Sequence, residues 1–411
     1  MSEHYDALES RDPAQREAAL FAALPAQVAH ARQNAPGFAR ILAGIDARAI
    51  SSRAALAGLP VTRKSALHEL QRAMPPLGGL NATLVGALAR IFVSPGPIYD
   101  PQGRGDDWWR MARPLFAAGF RAGDLVQNCF SYHLTPAGAM MEGGAHKLGC
   151  AVIPAGTGQT EQQVAAMAGL SPAGYAGTPS FLKIILEKAA ELGADVSSVK
   201  KALVSAEALP PSLRQWLADH GVRAIQTYAS ADLGNIAYET EAMQGLVVDE
   251  DIIVEILRPG TGDPVAEGEV GEVVVTKLDR DYPLIRFATG DLSAILPGIS
   301  PCGRTNMRIK GWLGRADQTT KVKGMFVHPA QIAAVLKRHP EVLRARLVVD
   351  NPEGADRMTL HCETAARPAG LAESLAESLR DITKLRGEVS LRAPGELPND
   401  GKVIEDAKKY D

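Results

Sequence analysis

YPLIRFATGDL (residues 282–292), followed after a turn-rich segment around Pro301-Cys302-Gly303-Arg304 by GWLGRADQTTKVKG (311–324), is the stretch from which the rest of the chain can be read. An apolar strand runs into the turn Thr289-Gly290-Asp291, which holds a carboxylate at its mouth. Further on come Gly314-Arg315-Ala316-Asp317 and a basic run through Lys321 and Lys323 to Gly324. Alone, Thr-Gly-Asp is an ordinary turn and Gly-Arg-x-Asp an ordinary surface loop; the series in order is what is specific. A fixed anion, a fixed cation and a flexible joint suit a nucleotide. The carboxylate can take two ribose hydroxyls, and the guanidinium can take ribose or phosphate oxygens.

The chain has 411 residues, 46% of them hydrophobic and 22% charged, with a net charge of −3. That is enough chain for two domains and a large core. A balance so close to neutral predicts no broad basic surface for nucleic acid or anionic membrane. The four cysteines, Cys129, Cys150, Cys302 and Cys362, are far apart and form no CxxC, which fits a reducing cytoplasm rather than a disulfide framework. The polar N-terminus MSEHYDALESRDPAQ has no apolar signal core. No stretch reaches the roughly 20 apolar residues that span a bilayer.

Residues 1–80 read as helices with irregular connections. Ala18, Phe21, Leu24 and Val28 recur at helical spacing, and Pro36-Gly37 breaks the pattern. From about 85 to 230, short apolar runs alternate with helical stretches. The predicted strands are 90–94, 124–130, 150–154, 173–176, 201–205 and 224–228. Between them, Thr178 can cap a helix with Pro179 at its first position and Gly193 at its end. The alternation predicts a mostly parallel sheet with helices on its faces, and ligands outside the carboxyl ends of its strands. From 245 to 295, runs at 252–257 and 270–276 predict a small antiparallel β region. Beyond 315 comes a small α+β unit: strands at 345–349, 358–362 and 388–392, and one helix face of Leu371, Leu375, Leu379, Ile382 and Leu385. The class is therefore α/β, with a domain at 1–315 and a smaller α+β domain at 316–411.

Read together, Asp291, Arg315 and Asp317 resemble the motif series of the adenylate-forming (acyl-CoA synthetase-like) superfamily, and within it the phenylacetate-CoA ligase family. The segment LPVTRK at 59–64 looks like one common in that family, though locally it reads as a loop leading to a capped helix. The resemblance implies that Asp291 and Arg315 hold the ribose and that Asp317 is the hinge of a mobile C-terminal domain. Leu397-Pro398-Asn399-Asp400-Gly401-Lys402 resembles the family's C-terminal Pro-x-x-x-Gly-Lys. Lys402 is then the swinging catalytic cation, a role suited to a mobile charge on a glycine turn; the bland reading is a solvated tail lysine.

Gln226-Thr227-Tyr228-Ala229-Ser230-Ala231-Asp232 resembles the family's Tyr-Gly-x-Thr/Ser-Glu motif. Tyr228 would pack beside adenine, Ser230 would meet the α-phosphate and Asp232 would help hold magnesium, its reach one methylene shorter than that of glutamate. Ala229 replaces the usual glycine and narrows the acyl pocket. Ser205, Ala206 and Glu207 resemble the segment that packs along adenine; alone they read as a turn leading into a helix. Ser94-Pro95-Gly96-Pro97 occupies the phosphate-loop position. It keeps Ser94 and Gly96 but lacks the second glycine, the paired threonines and the lysine, and its prolines remove two N–H donors. It reads either as a rigidified phosphate loop or as one that has lost its role. Tyr132 and His133, at the end of a strand, suit the acyl pocket; the alternative for His133 is a core or rim histidine. Cys302 has no neighbouring Cys or His at zinc spacing, so no zinc site is predicted.

The resemblance implies an ATP- and Mg2+-dependent acid–thiol ligase. It would convert a carboxylate, aromatic or aryl-acetic by the family's name, to an acyl adenylate and transfer it to coenzyme A. Two alternatives stay open: an amine or carrier-protein acceptor, and a catalytically impaired nucleotide- or acyl-binding paralogue. The partners expected are small molecules, with no nucleic acid and no membrane; analogy suggests a homodimer.

Overall fold

The computed structural model describes residues 3–94, 97–322, 325–351, 356–398 and 402–408. It divides into two compact units, one of residues 1–289 and 294–312, the other of 290–293 and 313–411.

The first unit is built on a nine-stranded sheet. Five parallel strands stand in the order Ala151–Ile153, Leu125–Asn128, Gly174–Gly177, Lys201–Val204 and Arg223–Ser230. Helices Ala137–Lys147, Thr160–Leu170, Pro179–Leu192 and Pro211–Asp219 connect them. The sheet then turns antiparallel through Gly234–Tyr238, Leu246–Val248, Arg308–Ile309 and Ile295–Leu296. Alternate residues of the parallel strands enter different apolar clusters. Val126, Ala176, Leu203 and Ile225 join one, while Tyr175, Ala202, Val204 and Ala224 join the other. Both faces are thus covered, which is why these strands read as continuous apolar runs. The strand order places a switch point beside Leu125–Asn128, where such sheets bind ligands at their carboxyl ends.

Local chemistry sets the helix ends as the sequence predicts. Thr178 Oγ1 accepts from Phe181 N–H, Pro179 opens the helix, and Gly193 closes it in the left-handed region. In the N-terminal helix Pro13–Asn34 the buried stripe includes Leu20, Phe21, Leu24, Val28 and Ala31. Ala18, expected in that stripe, is exposed.

The strand Arg90–Ser94 forms at its predicted bounds but lies outside the parallel sheet. It pairs antiparallel with Ile98–Gln102 in a separate hairpin. The second arm contains Pro101, which reads as loop because proline cannot serve a central strand; in a two-stranded hairpin both strands are edges. A four-stranded sheet follows the order Thr62–Arg63, Phe287–Ser293, Gly271–Lys277, Ile252–Leu257. Thr62 and Arg63 pair in parallel with Phe287 and Ala288, so the LPVTRK segment runs beside the strand that ends in Thr-Gly-Asp.

The second unit is α+β. Its sheet runs Glu388–Arg392, Arg357–Thr364, Val342–Asp350, Ile404–Asp406. Its core joins Ile332 and Val335 of helix Pro329–Arg338, Leu375 and Leu379 of helix Leu371–Thr383, and the inward residues Leu347, Val349, Leu360 and Ile404. Among the described residues, no helix is long and apolar enough to cross a membrane.

Candidate active site

In the first unit, candidate residues gather at the carboxyl ends of the parallel strands. Phe130, Ala137, Met140, Met141, Ala206 and Ala229 line much of an apolar cavity of about 180 Å3, whose wall also includes Ser205 and Ser230. Helix Ala137–Lys147 supplies the methionines. It packs closely because Gly138 has no side chain: a Cβ there would stand 2.8 Å from the Tyr132 ring. Ala206 holds φ +67, a conformation that costs an alanine strain and recurs at functional sites.

Tyr132 and His133 are not in the cavity lining. The Tyr132 hydroxyl is taken up by its neighbours, donating to Glu142 Oε2 and accepting from Asn128 Nδ2, both at 2.8 Å. Burial first, then the Glu142 carboxylate, raises its pKa above the ordinary phenol value. His133 is exposed, in the irregular segment between strand Leu125–Asn128 and helix Ala137–Lys147. Glu207 is likewise drawn to the surface, where Ser180 Oγ donates to it at 2.6 Å.

Tyr228 lies half-buried on its strand, its hydroxyl donating to Thr289 Oγ1 at 3.1 Å; Thr289 in turn donates to Val273 O. The predicted aromatic and the start of Thr-Gly-Asp therefore meet within one unit. Ser230 Oγ accepts from Leu233 N–H at 3.3 Å, and Ser205 Oγ donates to Thr227 O at 2.8 Å.

Asp232 is wholly buried. Its Oδ2 accepts from Lys64 Nζ at 2.6 Å. Its side chain also hydrogen-bonds the carboxyl of Asp100, itself buried, and Ser94 Oγ donates to Asp100 Oδ2. Burial first, then the Asp232 charge, pushes the Asp100 carboxyl well above the carboxylate range. Four side chains from four segments thus close on each other behind the hairpin turn. Sequence reading passed over Lys64 and Asp100; the position of Lys64, next to strand residues that pair with Phe287 and Ala288, carried no local signal.

Asp232, the residue expected at magnesium, is enclosed, and its Oδ2 holds the Lys64 ammonium; magnesium takes oxygens that phosphate and water can reach. No cluster of three or more Cys, His, Asp or Glu among the described residues is placed to hold a metal ion. Cys302 stands instead with Ser300 Oγ at 3.0 Å and receives Arg304 Nη1–H at 3.4 Å. Gly96 lies outside the described residues.

In the second unit, Asp291 and Arg315 meet directly. Arg315 Nη1 donates to Asp291 Oδ1 at 3.2 Å, and the two residues form an antiparallel bridge. Leu292 N–H donates to Gly314 O and Leu313 N–H to Leu292 O. Gly290 permits this contact. It holds φ +78, and a Cβ on it would come within 2.7 Å of Arg315 Nη2. Asp317 sits in the short 3-10 helix Ala316–Gln318. Lys402 is exposed two residues before strand Ile404–Asp406; Asn399, Asp400 and Gly401 of its motif lie outside the described residues.

An AMP-binding enzyme family model matches residues 129–278, which span the cavity, Tyr228 and Asp232. The phenylacetate-coenzyme A ligase of Thermus thermophilus is 29% identical over 409 residues, covering 90% of this chain and 91% of that protein. The enzyme of the same name from Aromatoleum evansii is 30% identical over 380 residues, covering 87% and 84%. Among solved structures, an open conformation of 2-hydroxyisobutyryl-CoA ligase with 2-HIB-AMP and CoA superposes with a TM-score of 0.86 at 25% identity, covering 98% of this chain and 95% of that one. With 30% identity to the Aromatoleum evansii enzyme sustained over most of the length of both proteins, the chain belongs to the phenylacetate-CoA ligase family.

Proposed function

We propose that this AMP-forming acyl-CoA ligase activates a carboxylate whose acyl group is uncharged, compact and about one ring in size, in keeping with an aromatic or aryl-acetic acid. The cavity carries the reading: about 180 Å3, apolar, with no charged side chain among its lining residues. A cavity of roughly 150 Å3 lined by aliphatic groups can take a benzene ring, so this one has room for a ring and not for a long acyl chain.

A carboxylate oxygen attacks the α-phosphorus of ATP and pyrophosphate leaves, giving the acyl adenylate. The thiol of coenzyme A then attacks the acyl carbon, AMP leaves, and the thiol proton passes to solvent. Tyr228 packs beside the adenine, and Asp291 takes the ribose hydroxyls with Arg315. Ser94, Gly96, Ser205, Ala206, Glu207 and Ser230 frame the nucleotide with their backbone and hydroxyl groups. Lys402 neutralises charge on the α-phosphate and carboxylate in the first step and withdraws for the second, the C-terminal domain of 316–411 turning about Asp317. The work is chiefly positioning and charge stabilisation. Magnesium travels on the phosphates of ATP. The setting is a reducing cytoplasm, and light scattering tests for the homodimer.

A second reading follows from the 2-hydroxyisobutyryl-CoA ligase superposition: a small branched acid would also suit a cavity of this size. Carboxylate-dependent exchange between ATP and pyrophosphate, run against phenylacetate, benzoate, 2-hydroxyisobutyrate, short-chain acids and decanoate, separates the two. One-ring acids should give the highest rates and decanoate none. If none of the acids supports exchange, a binding protein stands in place of a ligase. Thioester formation with coenzyme A, compared with amines and carrier-protein thiols, identifies the acceptor.

A further inference from the structure

We propose that Gln318 is a positioning residue for Lys402, joining the segment of the hinge to the segment that bears the catalytic lysine; this rests on the role given above to Lys402. Gln318 ends the 3-10 helix Ala316–Gln318, directly after Asp317. Its side-chain Oε1 accepts from Val403 N–H at 2.9 Å across 85 residues of chain. That N–H belongs to the peptide plane whose carbonyl is that of Lys402, so fixing it fixes the backbone orientation just after the lysine.

The neighbouring contacts extend the same link. Thr320 Oγ1 donates to Asp406 Oδ2 at 2.6 Å, and Leu347 N–H donates to Val403 O at 2.9 Å. On the other flank, Leu397 N–H donates to Glu363 Oε1 at 2.6 Å and Arg344 Nη2 donates to Pro398 O at 2.6 Å. Both flanks are pinned within the second unit, and the Val403 side is pinned to the residue next to Asp317. A change of backbone torsion at 317 therefore moves Gln318 and the Lys402 peptide together. A lysine side chain has four rotatable bonds, so where its ammonium can reach depends on how its backbone is held, and a misplacement of about 1 Å can cost roughly a hundredfold in rate.

Gln318→Met keeps the length of the side chain and removes the acceptor; Gln318→Glu keeps the acceptor. The acid with the highest rate in the exchange panel is used, together with its synthetic acyl adenylate. Gln318→Met should lower the exchange rate at least tenfold, with KM for ATP and for the acid changed less than twofold. Thioester formation from the supplied adenylate and coenzyme A should stay within twofold of wild type, and Gln318→Glu should restore exchange to within threefold. Exchange by Gln318→Met at the wild-type rate overturns the proposal. So does an equal fall in both half-reactions, or a Gln318→Glu variant no better than Gln318→Met, since each marks a merely structural contact. Lys402→Ala, assayed alongside, separates the two levels. If Lys402→Ala loses exchange and Gln318→Met does not, only the link through Gln318 falls. If Lys402→Ala retains exchange, the role of Lys402 falls and the link with it.

Discussion

Asp100 shows how a single residue can be chemically decisive without advertising itself. Its carboxyl keeps a proton in the fold because burial and the Asp232 charge oppose ionisation, whereas an unfolded aspartate loses it near its ordinary pKa of about 3.9. Between those two pKa values the native state binds the extra proton, so this site favours the fold least at high pH. Its contribution is full below the unfolded pKa and declines as pH rises toward the folded one. Asn can donate to Asp232 and accept from Ser94 without titrating. Asp100→Asn should therefore flatten the fall in Tm between pH 5 and pH 8; a slope identical to wild type would show that the carboxyl is ionised in the fold. Asp291 is the opposite case, a residue legible from its motif. Its side chain is mostly covered and touches Arg315. Asp291→Ala should weaken ATP binding by at least tenfold, the loss of about 1.5–3 kcal/mol expected for hydrogen bonds to a charged group. Calorimetric titration giving an unchanged Kd would remove Asp291 from the nucleotide site.

At the scale of elements, the parallel strands and the helix Pro179–Leu192 were legible because their signals are local: apolar runs, a threonine cap, a proline at the first turn and a glycine at the end. The hairpin of Arg90–Ser94 and Ile98–Gln102 was half legible. Its first arm is apolar, but its second is coded by Tyr99, Asp100 and Pro101, a composition shared with loops. The cavity belongs to this scale too, since it exists only where strand Arg223–Ser230 and helix Ala137–Lys147 face each other. Ala229 stands on that strand with its methyl toward the cavity wall. Ala229→Leu adds three carbons and should cut the rate of exchange with one-ring acids by at least the roughly ten- to two-hundredfold that a single methylene mismatch costs in an apolar pocket, while acetate-sized acids change little. An equal loss for all acids would mean that residue 229 does not bound the acyl group.

At the scale of the whole molecule, the chain divides into two compact units. The described boundary is not a single cut: residues 290–293 group with the C-terminal unit while 294–312 return to the first. The short bridge between Asp291 and Arg315 explains it, because it stitches the end of strand Phe287–Ser293 to the start of the smaller unit. If Lys402 serves only the first half-reaction, its loss should separate the two steps. Lys402→Ala should abolish exchange between ATP and pyrophosphate and leave thioester formation from supplied acyl adenylate within a few-fold of wild type. Equal loss of both steps in a stopped-flow comparison would argue against a swinging lysine.

The sequence by itself determined the strand and helix periodicities, the turn at Thr289-Gly290-Asp291, the Gly-Arg-x-Asp segment and the family that these motifs resemble. Each is written over a few adjacent residues, where propensity and turn chemistry act. Only the tertiary structure decided that Lys64 would meet Asp232 across 168 residues, with Asp100 and Ser94 behind, or that Gln318 would hold the amide after Lys402. Such pairs are selected by what burial leaves without a partner once the chain has closed, and no spacing along the sequence records that choice.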